Sequence, residues 1–149
     1  MTQDEALQSL LDQDAIRDLT MRYALGVDRR DYALVASCFA PEATFAHEGV
    51  FEAVGVPQIL DRIRRIERYR VTMHTMGTQR ITVTGDRAET ETYAVAYHRG
   101  EKEGRDHEIV GGIRYLDTLE RRDGRWLIVR RSLSPFWHRG ESLIHVNRA

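Results

Sequence analysis

Apolar side chains recur along this chain first at helical spacing and then at strand spacing, and the change falls near residue 70. Ile16, Leu19, Tyr23 and Val27 stand three and four residues apart and form one stripe. That stripe predicts a helix over 14–26, with Asp14 as its cap and Gly26 at its end. Asp31 is placed to cap a second, short helix carrying Leu34, Val35, Cys38 and Phe39, which stops before Pro41. Phe45 to Phe51 predicts a short hairpin arm around Gly49. Pro57, a favoured first-turn residue, opens a third helix to about Tyr69 with Ile59, Leu60, Ile63 and Ile66 inward. Its outer face carries Arg62, Arg64, Arg65 and Arg68 and reads as solvated.

Beyond residue 70 the period is two. Arg80 to Thr84 alternates and ends at Gly85-Asp86, and Thr90 to Tyr97 is rich in Thr, Tyr and Val. His107 to Leu119 predicts a third strand, Arg122-Asp123-Gly124 a tight turn, and Trp126 to Leu133 a fourth strand closed by Pro135. Helices followed by successive antiparallel strands is the order of an α+β fold. On one face of the second strand stand Ala88, Thr90, Thr92, Ala94, Ala96 and His98. Small side chains in a row leave space that a covering helix or a ligand must fill. His98 then either shares a cavity with His74 or faces solvent at the rim near Gly100.

Bulk composition narrows the class without naming a function. The 149 residues suit one domain spanning 1–149, and 42% hydrophobic with 30% charged residues is ordinary for a soluble protein. A formal net charge of −1 gives no reason to expect nucleic acid or an anionic membrane. The single cysteine, Cys38, excludes an internal disulfide and fits a reducing cytoplasm. No apolar run reaches membrane-spanning length, and the acidic start (Met-Thr-Gln-Asp-Glu) does not read as a signal peptide.

The chemistry-bearing residues are few. Asp28 lies at the exit of the first helix and His74 at the head of the first long strand. A carboxylate that orients an imidazole and stabilises its protonated form is the minimum equipment for taking a proton near neutral pH. Taken singly, Asp28 also suits a turn and His74, between Met73 and Met76, a core position. Tyr23, five residues before Asp28, offers either core packing or a phenolic donor. Arg131 alternates with Leu127, Val129 and Leu133 on an apolar face. There it must pair with an internal carboxylate or await an anionic or carbonyl ligand. His47, His107, His138 and His145 lack metal-ligand spacing. Gly111-Gly112 lacks the following helix of a phosphate loop, and Ser132 and Ser134 lack a nucleophile elbow.

The runs Asp14-Ala-Ile-Arg-Asp-Leu, Arg22-Tyr-Ala, Val27-Asp-Arg-Arg-Asp and Cys38-Phe-Ala-Pro-Glu-Ala come first, followed by Met73-His74, Glu91-Thr-Tyr, Gly111-Gly-Ile-Arg-Tyr-Leu-Asp and Arg122-Asp-Gly-Arg-Trp126. In that order they resemble the SnoaL-like branch of the nuclear-transport-factor-two-like superfamily. Within it the chain is most similar to the group of scytalone dehydratase, bile-acid dehydratase and hexachlorocyclohexane dehydrochlorinase. That likeness implies a cone: a strongly curved antiparallel sheet packed on N-terminal helices, a cystatin-like α+β barrel with an apolar pocket. It implies an Asp–His base at Asp28 and His74, a tyrosine at Tyr23, a second histidine near His98 and a pocket arginine at Arg131. Where scytalone dehydratase has a Ser and an Asn, this chain reads Gly111-Gly112-Ile113-Arg114, so that enzyme's own substrate does not carry over.

The expected function is a cofactor-free lyase, a dehydratase or dehydrohalogenase without metal, acting on a small hydrophobic cyclic molecule of polyketide, steroid or aromatic kind. A ketosteroid-isomerase-like isomerase and a non-catalytic ligand-binding or oligomerisation module are the alternatives on the same fold. The resemblance also implies a homo-oligomer, trimer or dimer. Residues 137–149 would cap the pocket or pack on a neighbour.

Overall fold

The computed structural model describes residues 1–142; residues 143–149, and with them His145 and the end of the C-terminal tail, lie outside the described residues. Two helices come first, α1 (Gln3–Arg29) and α2 (Tyr32–Ala36), and a third, α3 (Val56–Ile63), follows the first hairpin and tightens into a 3-10 turn over Arg64–Arg68. Six strands follow the order β1 (Phe39–His47), β2 (Phe51–Val54), β3 (Val71–Thr84), β4 (Arg87–Lys102), β5 (Arg105–Arg122) and β6 (Arg125–Arg139). The sheet order is β2-β1-β6-β5-β4-β3, so β2 and β3 are free edges and the sheet does not close.

The curved sheet on N-terminal helices is as expected, with one difference in pairing. β1 runs parallel to β6, making the sheet mixed, while the remaining neighbours are antiparallel. Pro135 does not close β6, which runs on to Arg139 past a register shift opposite Gly112 and Ile113.

Helix α1 is longer than its apolar stripe. It starts at Gln3 because Thr2 and Glu5 form a reciprocal capping box, and it passes through Gly26 to Arg29. The stripe Ile16, Leu19, Tyr23 and Val27 is buried against the concave face of the sheet, where Tyr115, Leu119 and Ile128 meet it. Gly26 marks a close crossing, not a helix end. A Cβ there would stand 2.8 Å from Val35 Cγ2 and 3.2 Å from the Asp31 carbonyl oxygen. A polar link, Gln79 Nε2 to Thr20 Oγ1 (2.8 Å) and to Thr92 Oγ1 (2.9 Å), ties the middle of α1 to β3 and β4. Near the N-terminal half of α1, Asp12 accepts from Arg121 Nη1 and from Trp126 Nε1 (3.2 Å), joining the helix to β5 and β6.

Glycine to alanine inside a helix ordinarily stabilises by about 1 kcal/mol. At position 26 the sign should reverse, because backbone as well as side-chain atoms of the α2 region occupy the space. Gly26→Ala is expected to lower stability by about 1–3 kcal/mol in a denaturant titration.

Candidate active site

The site is built on the way α1 stops. Arg30 takes the left-handed conformation (φ 58°), its N–H bonds the Val27 carbonyl (3.2 Å), and the Asp31 N–H bonds the Gly26 carbonyl (2.9 Å). This is a Schellman-type ending in which a non-glycine residue accepts a left-handed backbone, at a cost of about 1–2 kcal/mol. What holds it is the Arg30 guanidinium. It donates to Thr72 Oγ1 (2.6 Å) and to the carbonyls of Asp28 (3.1 Å) and Tyr69 (3.1 Å), bridging the end of α1 to the start of β3.

That bridge brings Asp28 against β3. Thr72 and His74, two apart, project from the same face of the strand. β3 is an edge strand, so its outward N–H groups have no ladder partner. Asp28 Oδ2 accepts the His74 backbone N–H (2.8 Å), while Oδ1 accepts the Thr72 hydroxyl (3.0 Å) and meets His74 Nδ1 at 2.7 Å. An ionised carboxylate only accepts, so the imidazole donates from Nδ1–H, and in the neutral ring the lone pair is then on Nε2. Burial would raise the Asp28 carboxyl. The hydrogen bonds and charge of His74, with the Thr72 hydroxyl, outweigh it and hold Asp28 below its ordinary value. The His74 side chain is 7% exposed and that of Asp28 21%.

His74 forms part of the wall of a cavity of about 710 Å³ between the helices and the concave sheet. That is ample for a drug-sized molecule. The walls are mainly apolar, from Val27, Phe45, Ile63, Ile66, Ile113 and Leu133 among others. The row of small residues on β4 divides here: Thr92 meets the Gln79 link below α1, while Ala96 opens into the cavity. His98 lies inside it, its ring edge-on to His74 with centroids 5.5 Å apart and 5.0 Å from that of Tyr69. Burial and the neighbouring His74 push His98 down to about 4, so it is neutral at pH 7. Tyr23 also lines the cavity, packed edge-on against Tyr115 (5.9 Å). Burial raises its hydroxyl above the ordinary value against the pull of Arg131, so it stays protonated.

Arg131 follows the first of its two alternatives. It is 0% exposed, and its Nε and Nη2 donate to the two carboxylate oxygens of Asp117 at 2.8 and 2.7 Å. Tyr23 and Tyr115 lie over its Cζ at 4.1 and 4.4 Å. The guanidinium is thus engaged beneath the cavity floor and is not among the lining residues. The structure therefore brings Tyr23, Asp28, His74 and His98 together and places Arg131 below them as a support. Its pairing with Asp117 replaces the expected pocket role.

Two lining residues, Arg62 and His47, were not anticipated, whereas Trp137 belongs to the tail expected to cap the pocket or pack on a neighbour. Arg62 belongs to the cavity mouth, not to a solvated helix face, its Cζ 4.9 Å from the Phe51 ring centre. Its position three residues after Ile59 and four before Ile66 puts it on the flank of the buried stripe, which is the signal that could have found it. His47 faces the same ring, and Trp137 lies where a side chain at Gly112 would stand, since a Cβ there would meet its Nε1 at 2.0 Å. No cluster of three or more His, Cys, Asp or Glu suited to a metal occurs among the described residues. No described helix is long and apolar enough to cross a membrane.

A family model described as a SnoaL-like domain matches residues 8–132. Among solved structures, a candidate scytalone dehydratase from Novosphingobium aromaticivorans superposes with a TM-score of 0.82 at 23% identity, covering 93% of each chain. A hexachlorocyclohexane dehydrochlorinase, LinA-type3 from Novosphingobium barchaimii, gives 0.81 at 23% identity, over 94% of this chain and 97% of its own. A protein with a cystatin-like fold from Nostoc punctiforme gives 0.71 at 17% identity, over 85% and 92%. At these identities the likeness establishes the fold alone. None of the curated proteins compared matches the chain significantly.

Asp117→Ala strands the Arg131 guanidinium in the core and is expected to cost about 3–5 kcal/mol, whereas the double change Asp117→Leu with Arg131→Met should recover most of it in the same denaturant titration. For His98 the folded value lies below the unfolded one, so the unfolded chain binds the extra proton first. Its contribution is fully present above pH 6.5 and is lost as pH falls toward about 4. Melting temperatures between those pH values should fall less steeply in His98→Gln than in the parent, a difference on the order of 3 kcal/mol once both forms are protonated.

Proposed function

The chain belongs to the SnoaL-like domain family, and from that premise we propose that it is a cofactor-free lyase that removes water or a halide from a small hydrophobic cyclic substrate. The observation that carries the reading is the 2.7 Å Asp28–His74 pair set into the wall of the apolar cavity. A pair kept only for packing has no need to face open volume. Two of the structural neighbours bear the names of a dehydratase and a dehydrochlorinase, both eliminations, which supports the class of reaction.

In this mechanism Nε2 of His74 takes a proton from a carbon beside the one that bears the leaving group. The C–H electrons form the new double bond, the C–X bond breaks, and hydroxide or halide departs. Asp28 fixes the tautomer beforehand and stabilises the imidazolium that forms. Thr72 and the His74 backbone N–H hold the carboxylate in place. His98, neutral, and the protonated Tyr23 hydroxyl are the hydrogen-bond donors available to the leaving group or to an enolate oxygen. The proton on His74 returns to the departing hydroxide or to water. The same base without a leaving group would run an isomerisation. Tyr93, Leu116 and Phe136, exposed on the outer face of the sheet, support assembly as a homo-oligomer, trimer or dimer.

Asp28→Asn and His74→Ala should each lower turnover by about 10²–10⁴, measured by mass spectrometry on a panel of cyclic hydroxy-ketones and ring halides. Both should stay folded, with stability lowered by about 1–3 kcal/mol, the scale of a hydrogen bond to a charged group. Full activity in either variant would contradict the mechanism.

A further inference from the structure

The mouth of the cavity carries a cation that the elimination chemistry does not use. Arg62 sits on α3 at the edge of the buried stripe, half-buried, with its guanidinium over the Phe51 ring (4.9 Å). The β1–β2 hairpin supplies that ring, and pairs it in register with His47, whose own ring lies edge-on to it at 6.1 Å. Burial holds the His47 imidazole below its ordinary value, so near neutral pH it presents an N–H donor at the same mouth.

The other charged groups in and around the cavity are engaged. Asp28 is held by His74 and Thr72, Arg30 by Thr72 and main-chain carbonyls, and Arg131 by Asp117. Glu141 on the wall is met by Lys102 at 2.8 Å. On the neighbouring turn, Arg64 lies 3.7 Å from Glu67 and over the Tyr32 ring. Arg62 has no carboxylate within 4 Å among the described residues. A guanidinium stacked on an aromatic ring keeps its edge N–H groups free, and that edge matches two oxygens of an oxyanion.

We propose that the cavity takes amphipathic acids: a ring-bearing apolar body in the interior and one oxyanion, carboxylate or sulfonate, held at the mouth by Arg62 with His47 beside it. This deepens the elimination reading, since it rests on the cavity being the substrate site and names the polar end of the substrate. It also sets an orientation. With the anion at the hairpin mouth, the reacting carbon lies deeper, along the wall that presents His74 and His98.

The test is a matched pair of fluorescent probes titrated against the full chain: anilinonaphthalene sulfonate, and phenylnaphthylamine, the same ring pair without the sulfonate. The parent protein should bind the sulfonate about tenfold more tightly than the neutral probe. Arg62→Gln should erase that preference and leave the neutral probe's Kd unchanged, and Arg62→Lys should restore part of it. An unaltered sulfonate preference in Arg62→Gln would overturn the proposal. So would an equal weakening of both probes, which would reduce Arg62 to a packing partner of Phe51. No turnover enters this readout, so a failed anion site and a failed elimination mechanism are told apart by the separate activity assay of Asp28→Asn.

Discussion

The Asp28 carboxylate is the point on which the end of α1, the start of β3 and the imidazole of His74 all depend. Its two oxygens accept a backbone N–H, a hydroxyl and a ring N–H from two residues of one edge strand. A free strand edge normally leaves N–H groups to water or to aggregation, and here one of them is covered by a helix terminus. The left-handed Arg30 makes this geometry reachable. Had the helix simply frayed at Gly26, the carboxylate two residues later would have had no fixed direction.

Two carboxylates in this fold are used in opposite ways, and burial decides which. Asp117 and Arg131 are sealed under Tyr23 and Tyr115, where a bidentate ion pair is tolerated and a broken one is costly. They give the cavity a rigid floor. Asp28 and His74 form a pair of similar length that is open on one side, so the imidazole retains a nitrogen free to react with whatever the cavity admits. His98 completes the contrast. Its neutrality keeps a second positive charge away from the imidazolium that proton abstraction would create.

Much of this was legible from residue patterns. The period-two runs after residue 70 locate all four strands β3 to β6, but each strand outruns its alternating stretch: β3 starts at Val71, β4 passes Gly100 to Lys102 and β6 passes Pro135 to Arg139. The apolar stripe of α1 likewise names its buried face correctly, because 3.6-residue periodicity survives any adjustment at the ends. What escaped were features set by distant partners. The parallel β1–β6 pairing joins segments far apart in the chain, with no local turn to announce it. Nothing in the arginine at position 30 signals a left-handed backbone; the carbonyls and Thr72 across the gap impose it. Asp28 and His74 were each ambiguous alone, and only the family resemblance suggested that they meet. Arg131 was left between two fates, and Asp117, fourteen residues earlier on the adjacent strand, settles which.

The central claim is that Asp28 holds His74 in a single tautomer, with the proton on Nδ1 and a bare Nε2 facing the cavity. Nitrogen NMR of the imidazole at neutral pH reads that directly. The parent protein should show a pyrrole-like Nδ1 and a pyridine-like Nε2, with the two forms mixing once Asp28→Asn replaces the acceptor-only carboxylate by an amide that can also donate. A proton resident on Nε2 in the parent protein, or a tautomer ratio untouched by Asp28→Asn, would contradict it.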